Sequence, residues 1–509
     1  MKKYFHSLLI IFVLAGLSDI SAQSGLDLTF GGDGKVIKSI GTNFNQATSV
    51  IVQPNGKIII AGNAQTSLSN DFSLIRLNSD GSLDHDFGIG GVVTADFSGH
   101  IVAASELALQ GDGKIVVTGG SYNGIDDDFA LARYKINGAL DSSFGAYGLV
   151  TTDFGGNDIS ASVAVQPNQK IITAGYSERG TDYVFALARY NIDGTLDRTF
   201  GLDGKVITDF GGYGDQARSV AIQSDGKIIA AGYSDNGSFD YFFALARYNS
   251  DGTLDNSFGT RGKVITNIRP DIEYAYSVNI QPDGKIIVVG TGGGIVLVRY
   301  NQDGALDNTF GIGGKVITAN YNAYSSALQP DGKIIVVGYS SYYNDSSGFN
   351  YLFLLARYNS NGSLDSDFGT DGILTTDFGT NDARAYSVAI QPDGKIVVAG
   401  TVQFDIYHTS FAVARYLSGL ASDVIDFPFS NNLLTLYPNP NEGHFSIYSN
   451  LPFASNITFQ IFNSLGQTNT TETHAQPIHF DLSNQPKGIY FISISSGDMF
   501  IETKKFIIY

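Results

Sequence analysis

One phrase recurs along the chain and restricts its fold more than any other feature. Its clearest copy is YSVAIQPDGKIVVAG at residues 386–400, in which a Pro-Asp-Gly turn joins two apolar runs. An Asp-Gly step between such runs favours a β-hairpin, because glycine readily adopts the positive φ that the turn requires. The Gln that closes the first run occurs at intervals of 48 to 62 residues, at Gln53, Gln110, Gln166, Gln223, Gln281, Gln329 and Gln391. This periodicity indicates a repeat architecture.

Two further markers recur in the same order as the Gln. A Phe-Gly pair begins at Phe30, Phe87, Phe144, Phe200, Phe258, Phe310 and Phe368. An Arg within an apolar run occurs at Arg76, Arg133, Arg189, Arg247, Arg299, Arg357 and Arg415. The unit at 219–266 contains four apolar runs, SVAIQ, KIIAAGY, FFALARY and GKVIT. Four short strands per unit are typical of a propeller blade. The sequence therefore predicts an all-β, seven-bladed β-propeller over residues 23–416.

The phasing of the repeats predicts how the propeller closes. The repeat region begins with a run of the fourth type, which has no first, second and third runs before it. The last unit ends after its third run. We expect residues 36–40 to complete the last blade as its outer strand, because this joins the chain ends and removes an open sheet edge. An open β-solenoid is the alternative, but it would not need this complementary phasing.

The repeat resembles the delta-60 repeat family of bacterial β-propeller-like proteins. The resemblance covers about residues 26–416 and depends on LDxxFGxxGKV, SVAIQPDGKI and FALARYNxDG. The unit is also similar, more distantly, to the NHL-type blade. The delta-60 resemblance implies the propeller fold and implies no defined activity.

A different module follows the mixed polar linker at 417–432. Its alternating runs between 433 and 509 predict a small Ig-like antiparallel β-sandwich. The segment resembles the type A sorting domain of the type IX secretion system through YPNP, the following Gly443, the Leu465-Gly466 turn, and DLS with KGIYF. The resemblance implies that residues 433–509 interact with the secretion machinery and are removed afterwards. The product would then be released or attached to surface lipopolysaccharide. An ordinary accessory β-sandwich is the alternative.

The N-terminal residues have the order of a secretory signal peptide. Two Lys precede a run of ten apolar residues at 8–17, and small residues follow up to Ala22. Ten apolar residues are too few to span a bilayer as a helix. We expect cleavage after Ala22, which makes 1–22 the signal peptide; an uncleaved anchor is the alternative. Because no other long apolar run exists, we expect no transmembrane segment in the mature chain and a secreted or surface-attached product.

Charge and cysteine content exclude several classes of function. The formal net charge of −18 argues against nucleic acid and anionic lipid as partners, since both require a basic surface. With no Cys, the chain has no disulfide, thiolate metal site, cysteine nucleophile or lipidated cysteine.

The repeated ionisable residues indicate structure rather than chemistry. Arg247 and Asp255 have counterparts in every unit, whereas catalytic groups occur once, so we interpret the pair as a link within the blade. The NSDGTLD segment at 249–255 has spaced oxygen ligands for Ca²⁺ but lacks the strict motif, which favours a turn. The Gly-rich 290–296 is not followed by a helix, which argues against a phosphate loop. We therefore predict no catalytic residue, no metal ligand and no cofactor.

The two rims of the predicted propeller differ in sequence. Loops joining strands one to two and three to four repeat PDG and NxDG, whereas the other loops differ between units. Variable loops on a rigid frame are common binding positions, and tyrosine rings with polar neighbours suit glycans. The candidate binding residues on this variable rim are Tyr122, Asp126, Asp127, Tyr176, Tyr183, Tyr213, Tyr233, Tyr241, Tyr274, Tyr276, Tyr321, Tyr342 and Tyr343. Merely tolerant surface loops are the alternative.

These observations favour a non-catalytic binding module for glycan or protein, acting outside the cell or on its surface. An extracellular hydrolase or lyase with its site on the same rim is one alternative. It would need a non-recurring cluster of acids, His or metal ligands, and residues 126–128 are the nearest candidate. A structural component of a surface layer or of adhesion is the other alternative.

Overall fold

The computed structural model describes residues 25–65, 70–97, 102–235, 237, 240–269, 273–344, 348–380, 382–405 and 407–418, and then 434–437, 444–449, 457–463, 468–474, 478–485, 487–496 and 499–508. The chain divides into two compact units, Met1–Asp423 and Val424–Tyr509. The predicted signal peptide and nearly all of the predicted linker lie outside the described residues. Within the described part of the chain, no helix has the length and apolarity needed to cross a bilayer.

The first unit contains β1 (Lys35–Lys38), β2 (Asn45–Val52), β3 (Ile58–Gln65), β4 (Asn70–Leu77), β5 (Val92–Ala95), β6 (Val102–Leu109), β7 (Ile115–Tyr122), β8 (Asp127–Tyr134), β9 (Leu149–Thr152), β10 (Asp158–Val165), β11 (Ile171–Arg179), β12 (Asp182–Tyr190), β13 (Lys205–Thr208), β14 (Gln216–Ile222), β15 (Ile228–Asp235), β16 (Tyr241–Tyr248), β17 (Lys263–Thr266), β18 (Tyr274–Ile280), β19 (Ile286–Thr291), β20 (Gly294–Tyr300), β21 (Lys315–Ala319), β22 (Tyr321–Leu328), β23 (Ile334–Asn344), β24 (Gly348–Tyr358), β25 (Ile373–Thr376), β26 (Asp382–Ile390), β27 (Ile396–Gln403) and β28 (Thr409–Tyr416).

These strands form seven antiparallel blades. Blades one to six each take four consecutive strands, beginning at β2, β6, β10, β14, β18 and β22. Blade seven consists of β26, β27, β28 and β1, and one parallel bridge from Tyr351 to Asp382 links it to blade six. The first strand of each blade contacts the first strand of the next, and β26 contacts β2, so the seven inner strands surround a central channel. The prediction of a seven-bladed propeller is confirmed.

The chain ends meet in blade seven. Strand β1 pairs antiparallel with β28, with Val36 opposite Val413. The pairing spans Lys35–Lys38 rather than 36–40, because Ile40 has left the sheet and its backbone N–H donates to Oδ1 of Asn45 at 3.0 Å. Oδ2 of Asp27 also accepts from Nε of Arg415 at 2.7 Å, which ties the beginning of the unit to its last strand.

The apolar core lies between neighbouring blades. The second and third strands are buried on both faces because each blade is covered by a blade on either side. Between blades four and five, for example, Phe243 and Leu245 pack with Val278 and Val288. Buried tyrosines connect these layers: the hydroxyl of Tyr248 donates to Oγ1 of Thr208 in the preceding blade at 2.8 Å.

The repeated arginine joins each blade to itself and to the next. In blade four, Nε of Arg247 donates to Oδ2 of Asp255 at 2.7 Å, and both side chains are buried. The guanidinium lies over the ring of Phe258 at 4.6 Å and also donates through Nη1 to the carbonyl of Gln302 in blade five. The same arginine–aspartate contact occurs in all seven blades: Arg76–Asp84, Arg133–Asp141, Arg189–Asp197, Arg247–Asp255, Arg299–Asp307, Arg357–Asp365 and Arg415–Asp27.

The second unit contains two antiparallel sheets. Their strands are β29 (Leu434–Tyr437), β30 (His444–Ser449), β31 (Ile457–Asn463), β32 (Thr468–His474), β33 (Ile478–Asp481), β34 (Gly488–Ser496) and β35 (Met499–Ile508). One sheet has the order β29-β30-β33 and the other β32-β31-β34-β35. The prediction of a small antiparallel β-sandwich after the propeller is confirmed. Most of the YPNP segment and the Leu465-Gly466 turn lie outside the described residues.

Replacement of Arg247 by Met should destabilise the propeller. The change leaves Lys227, 3.0 Å away, as the remaining cation beside the buried carboxylate of Asp255, and it removes the contact with blade five. We expect a loss of about 3 kcal/mol in the free energy of unfolding, the low end for a broken buried pair because Lys227 remains. Urea unfolding of Arg247→Met measures this loss. The control is Arg198→Met, which removes the same charge from an exposed residue. Equal stability of the two variants would contradict the linking role.

The seven paired aspartates should make the propeller acid-sensitive. Burial alone would raise the pKa of Asp255, but hydrogen bonds from Ser257 and Lys227 and the Arg247 charge outweigh it and lower the pKa. The pKa is also lowered in Asp27, Asp84, Asp141, Asp197, Asp307 and Asp365. An aspartate whose pKa is lowered in the folded state stabilises the folded protein at pH values above its unfolded pKa of about 3.9. This stabilisation disappears as the pH falls below that value.

We expect the urea midpoint of unfolding to fall steeply below about pH 4. The variant Asp255→Asn should show a shallower decline than the parent chain, because it contributes one lowered pKa fewer. A midpoint independent of pH between about pH 4 and pH 2.5 would contradict the linkage.

Candidate functional site

The inner strand of every blade contains a β-bulge five residues before the repeated Gln. In each blade the register shifts at this position, so that two residues of the inner strand face one residue of the second strand. The repeated Gly of the second strand permits this geometry, since a Cβ at Gly232 would lie 1.9 Å from the carbonyl oxygen of Gln216. A bulge leaves its extra residue unpaired and redirects its side chain. Here it presents one half-buried residue per blade around the channel.

The bulge residue varies while its neighbours scarcely do. The seven bulge residues are Thr48, Ser105, Ala161, Arg218, Tyr276, Tyr324 and Tyr386. The residue before each of them is Ala or Ser, and the residue after it is Ser except in blade two, which has Glu106. In six of the blades that following side chain accepts a hydrogen bond from the backbone of the next blade, as in Val278 N to Oγ of Ser219 at 3.1 Å. The strand is therefore fixed, and the bulge position can change.

Tyrosines from blades four to seven form a continuous cluster at the channel mouth on the variable rim. The ring of Tyr276 lies 6.1 Å from Tyr274 and 5.2 Å from Tyr324, and Tyr324 lies 5.1 Å from Tyr386. Tyr274 extends the cluster towards Tyr233, 4.8 Å away. We call this set, with the members that follow, the tyrosine cluster: Tyr233, Tyr241, Tyr274, Tyr276, Tyr324, Tyr339, Tyr351 and Tyr386.

Arg218 lies at one end of the tyrosine cluster. Its guanidinium is 5.4 Å from the ring of Tyr176 and 5.4 Å from that of Tyr233. Its Nη2 donates to the hydroxyl of Tyr233 at 2.9 Å and to Oε1 of Gln216 at 2.7 Å, and both acceptors are neutral. Its Nε has no hydrogen-bond partner. No carboxylate among the described residues forms an ion pair with Arg218, so its positive charge is uncompensated.

Arg384 lies at the other end of the cluster and has a partner. Its Nε and Nη2 donate to the two carboxylate oxygens of Asp382 at 2.9 and 2.8 Å. Its guanidinium lies over the ring of Tyr351 at 4.3 Å. Beside it is a cavity of about 150 Å³, lined in part by Gln46 and Tyr386. Arg384 therefore contributes shape and hydrogen bonds but little net charge.

The protonation states at this mouth are settled by burial and by neighbouring groups. Burial raises the pKa of Tyr276 to about 12, and burial also raises the pKa of Tyr324. Burial would lower the pKa of Arg218, but the adjacent Tyr233 hydroxyl more than offsets this and the pKa is raised. At neutral pH the mouth thus offers neutral hydroxyls and one unpaired guanidinium cation.

A larger cavity of about 440 Å³ lies on the opposite rim, at the junction of blades seven and one. Its lining includes Arg415 and Lys395, and both already bind the carboxylate of Asp27. The rest of its lining belongs to repeated turns. This cavity therefore lies among repeated turns, and both of its cations are already paired with a carboxylate.

The structure brings some of the predicted residues together and separates others. Tyr176 and Tyr183 form one edge-on pair at 5.4 Å, and Tyr233, Tyr241, Tyr274 and Tyr276 belong to the tyrosine cluster. Tyr321 packs against the core between blades five and six. Tyr122 is exposed at the end of β7, Tyr342 and Tyr343 are exposed near the end of β23, and Tyr213 is exposed in the loop before β14. Asp126 and Asp127 lie at the junction of blades two and three, next to the buried Asp128.

The sequence interpretation did not identify Arg218, Arg384 or Tyr386. They lie on inner strands, whereas the variation between repeats that indicated a binding rim lies in the loops. The sequence signal for these positions is the bulge residue, which changes from repeat to repeat although the Ala before it and the Ser after it are repeated. An alignment of the seven copies at the Gln shows it, because a charged or aromatic residue occurs there in four blades.

Comparisons with known proteins agree with this architecture. A family described as Domain of unknown function (DUF5122) beta-propeller matches at 53–87, 110–144, 166–200, 223–258, 281–310, 329–368 and 391–421. A Secretion system C-terminal sorting domain matches at 435–509. The chain is therefore a repeat β-propeller protein with an export sorting domain. Its propeller contains seven DUF5122 beta-propeller repeats, and its C-terminal module is a type IX secretion sorting domain, as the sequence predicted.

Several solved structures are similar in fold. A catalytically inactive virginiamycin B lyase from Staphylococcus aureus with quinupristin has 12% identity and a TM-score of 0.46, covering 75% of this chain and 99% of that one. The polysaccharide lyase Uly1 has 9% identity and a TM-score of 0.44, and the match covers 73% of this chain and 90% of that one. A protein of unknown function from Bacteroides caccae has 11% identity and a TM-score of 0.38, covering 62% and 93%. No curated protein matches the chain.

Proposed function

We propose that the propeller is an extracellular, non-catalytic binding module for carboxylate-bearing polysaccharide, which it holds at the channel mouth on the variable rim. The sorting domain marks the chain for export and so supports a role at or beyond the cell surface. The observation that carries the ligand class is the unpaired guanidinium of Arg218 beside the tyrosine cluster.

The charge of Arg218 favours an anionic ligand. A partly buried guanidinium without a carboxylate partner has lost part of its hydration and received only neutral hydrogen bonds in return. A ligand carboxylate can supply the charge-assisted hydrogen bonds that the protein does not, and arginine matches the planar carboxylate geometry. The repeated arginines cannot bind the ligand carboxylate in this way, because each already binds an aspartate.

The aromatic surroundings favour a saccharide as the carrier of that carboxylate. Tyrosine rings provide apolar faces on which sugar rings stack, and their hydroxyls donate and accept hydrogen bonds. Burial keeps the hydroxyl of Tyr276 neutral, so it does not repel an anion. The tyrosine cluster crosses four blades, which suits several linked sugars better than a single one.

Binding should require both the ligand carboxylate and Arg218. Polygalacturonate and its methyl-esterified form are a matched pair of probes, because the ester removes the charge and retains the sugar chain. We expect the full chain to bind polygalacturonate at least about tenfold more tightly than the ester in calorimetric titration. We expect Arg218→Met to lose this preference, and higher ionic strength to weaken it.

The control is Arg198→Met, which removes the same charge from an exposed residue on the repeated rim. It should bind polygalacturonate as the parent chain does. Equal binding of the two polysaccharides, or unchanged selectivity in Arg218→Met, would contradict the proposal. A progressive loss of polygalacturonate viscosity on incubation would contradict its non-catalytic part.

We also propose that the exported product lacks residues 1–22 and 433–509. The charged and apolar order at 1–17 supports removal of the first segment, and the sorting domain at 435–509 supports removal of the second. Intact-mass measurement of the product from the secreting cells should give a chain that begins at Gln23 and ends before 433. A mass that includes both segments would contradict this processing.

A further inference from the structure

Three aspartates meet at the junction of blades two and three on the variable rim. Asp128 lies near the start of β8, Asp158 begins β10, and Asp153 lies in the loop that precedes β10. One carboxylate oxygen of each lies within 4.8 Å of those of the other two. Asp128 and Asp158 are buried, and Asp153 is exposed. The cluster is therefore open to solvent on one side.

The carboxylates of this cluster have incomplete hydrogen bonding. Oδ2 of Asp128 accepts from Nδ2 of Asn123 at 3.0 Å, but Oδ1 of Asp128 has no partner although the residue is only 7% exposed. In the fully buried Asp158, Oδ2 accepts from the backbone N–H of Phe154 at 2.5 Å and the Ser177 hydroxyl stabilises the charged carboxylate, but Oδ1 has no hydrogen-bond partner of good geometry. Burying an unpaired carboxylate oxygen is costly unless a cation or donor compensates it.

Cationic side chains do not supply the missing compensation. None of the three aspartates forms a salt bridge in the described parts of the chain. The ammonium of Lys205 donates to the backbone carbonyl of Asp153, and Arg179 exerts only a weak favourable field on Asp158. Asp126 and Asp127 add further negative charge beside Asp128. The junction thus concentrates acidic oxygens, and none of the three carboxylates is paired with a cation among the described residues.

No other junction has this set of acids. The counterparts of Asp128 in the other blades are Asp71, Val184, Phe242, Gly294, Leu352 and Ser410. The junction of blades three and four repeats the other two acids as Asp209 and Asp215, but Val184 takes the third position. The junction of blades one and two has Asp71 and Asp96, but Val102 replaces the counterpart of Asp158. The three-acid arrangement is therefore particular to one junction.

We propose that Asp128, Asp153 and Asp158 bind a calcium ion that links blade two to blade three. Calcium takes six to eight hard oxygen ligands in flexible geometry, which suits three carboxylates with water on the open side. Unpartnered Oδ1 atoms are free to coordinate without breaking a hydrogen bond. The ion supplies the charge that the junction lacks. Extracellular modules bind calcium at about 10⁻⁴–10⁻³ M, and we expect an affinity in this range.

Thermal unfolding of the full chain in EDTA and in excess CaCl₂ at neutral pH tests the site. We expect calcium to raise the Tm by roughly 2–5 °C. The variant Asp153→Asn should abolish this shift and still fold, because Asp153 is exposed. The matched control is Asp209→Asn at the neighbouring junction. Both aspartates are exposed, and Oδ1 of each accepts from a backbone glycine N–H, that of Gly155 or Gly211, at 2.5 Å. Asp209→Asn should retain the full shift.

A second variant separates metal binding from a purely structural acid cluster. Asp128→Val reproduces the residue that blade three has at this position, Val184. It should lose the calcium response and, in EDTA, unfold at or above the Tm of the parent chain, because the junction loses one of its two buried carboxylates that have an unpartnered oxygen. Calorimetric titration with CaCl₂ should find one site in the parent and none in Asp128→Val. The absence of a calcium-dependent shift in the parent, or an equal loss in Asp153→Asn and Asp209→Asn, would overturn the proposal.

Discussion

The contact between the repeated arginine and aspartate is the interaction on which the rest of the structure depends. Each guanidinium binds an aspartate in its own blade, stacks on a phenylalanine and donates to a carbonyl of the following blade, as Arg247 does with Asp255, Phe258 and Gln302. One side chain thus sets both the fold of a blade and its orientation to the next. Ring closure uses the same contact, because Arg415 binds Asp27 and donates to the carbonyl of Ser79 in blade one.

This concentration of links on one rim leaves the other rim free to vary. The repeated turns carry the arginine contacts, whereas the bulge position and the long loops carry none of them. A bulge residue can therefore be threonine in one blade and arginine in another without loss of a link between blades. The acids at the junction of blades two and three have the same freedom, since Val184 occupies the position of Asp128 one blade later.

The repeat made the fold predictable from the sequence, because every copy contains the same local strand and turn signals. The contacts between blades are then the same at each junction. The site was less predictable, because its contacts join residues from different blades. Arg218 meets Tyr176, 42 positions earlier, and Tyr386 belongs to the same cluster as Tyr233 although the two lie 153 positions apart. The acid run at 126–128 was visible, but its partners Asp153 and Asp158 become neighbours only when blades two and three pack together.

The bulge residues also make the channel mouth asymmetric, although the seven blades that surround it are alike. Blades one to three present Thr48, Ser105 and Ala161 at the bulge, and these side chains are small. Blades four to seven present Arg218 and three tyrosines, which are large and face one another across the junctions between blades. Ring faces and the guanidinium of Arg218 therefore lie on one side of the channel, and small side chains lie on the other. The polysaccharide binding proposed above would need no movement of the blades, because the frame that holds both sides of the mouth is fixed from the opposite rim.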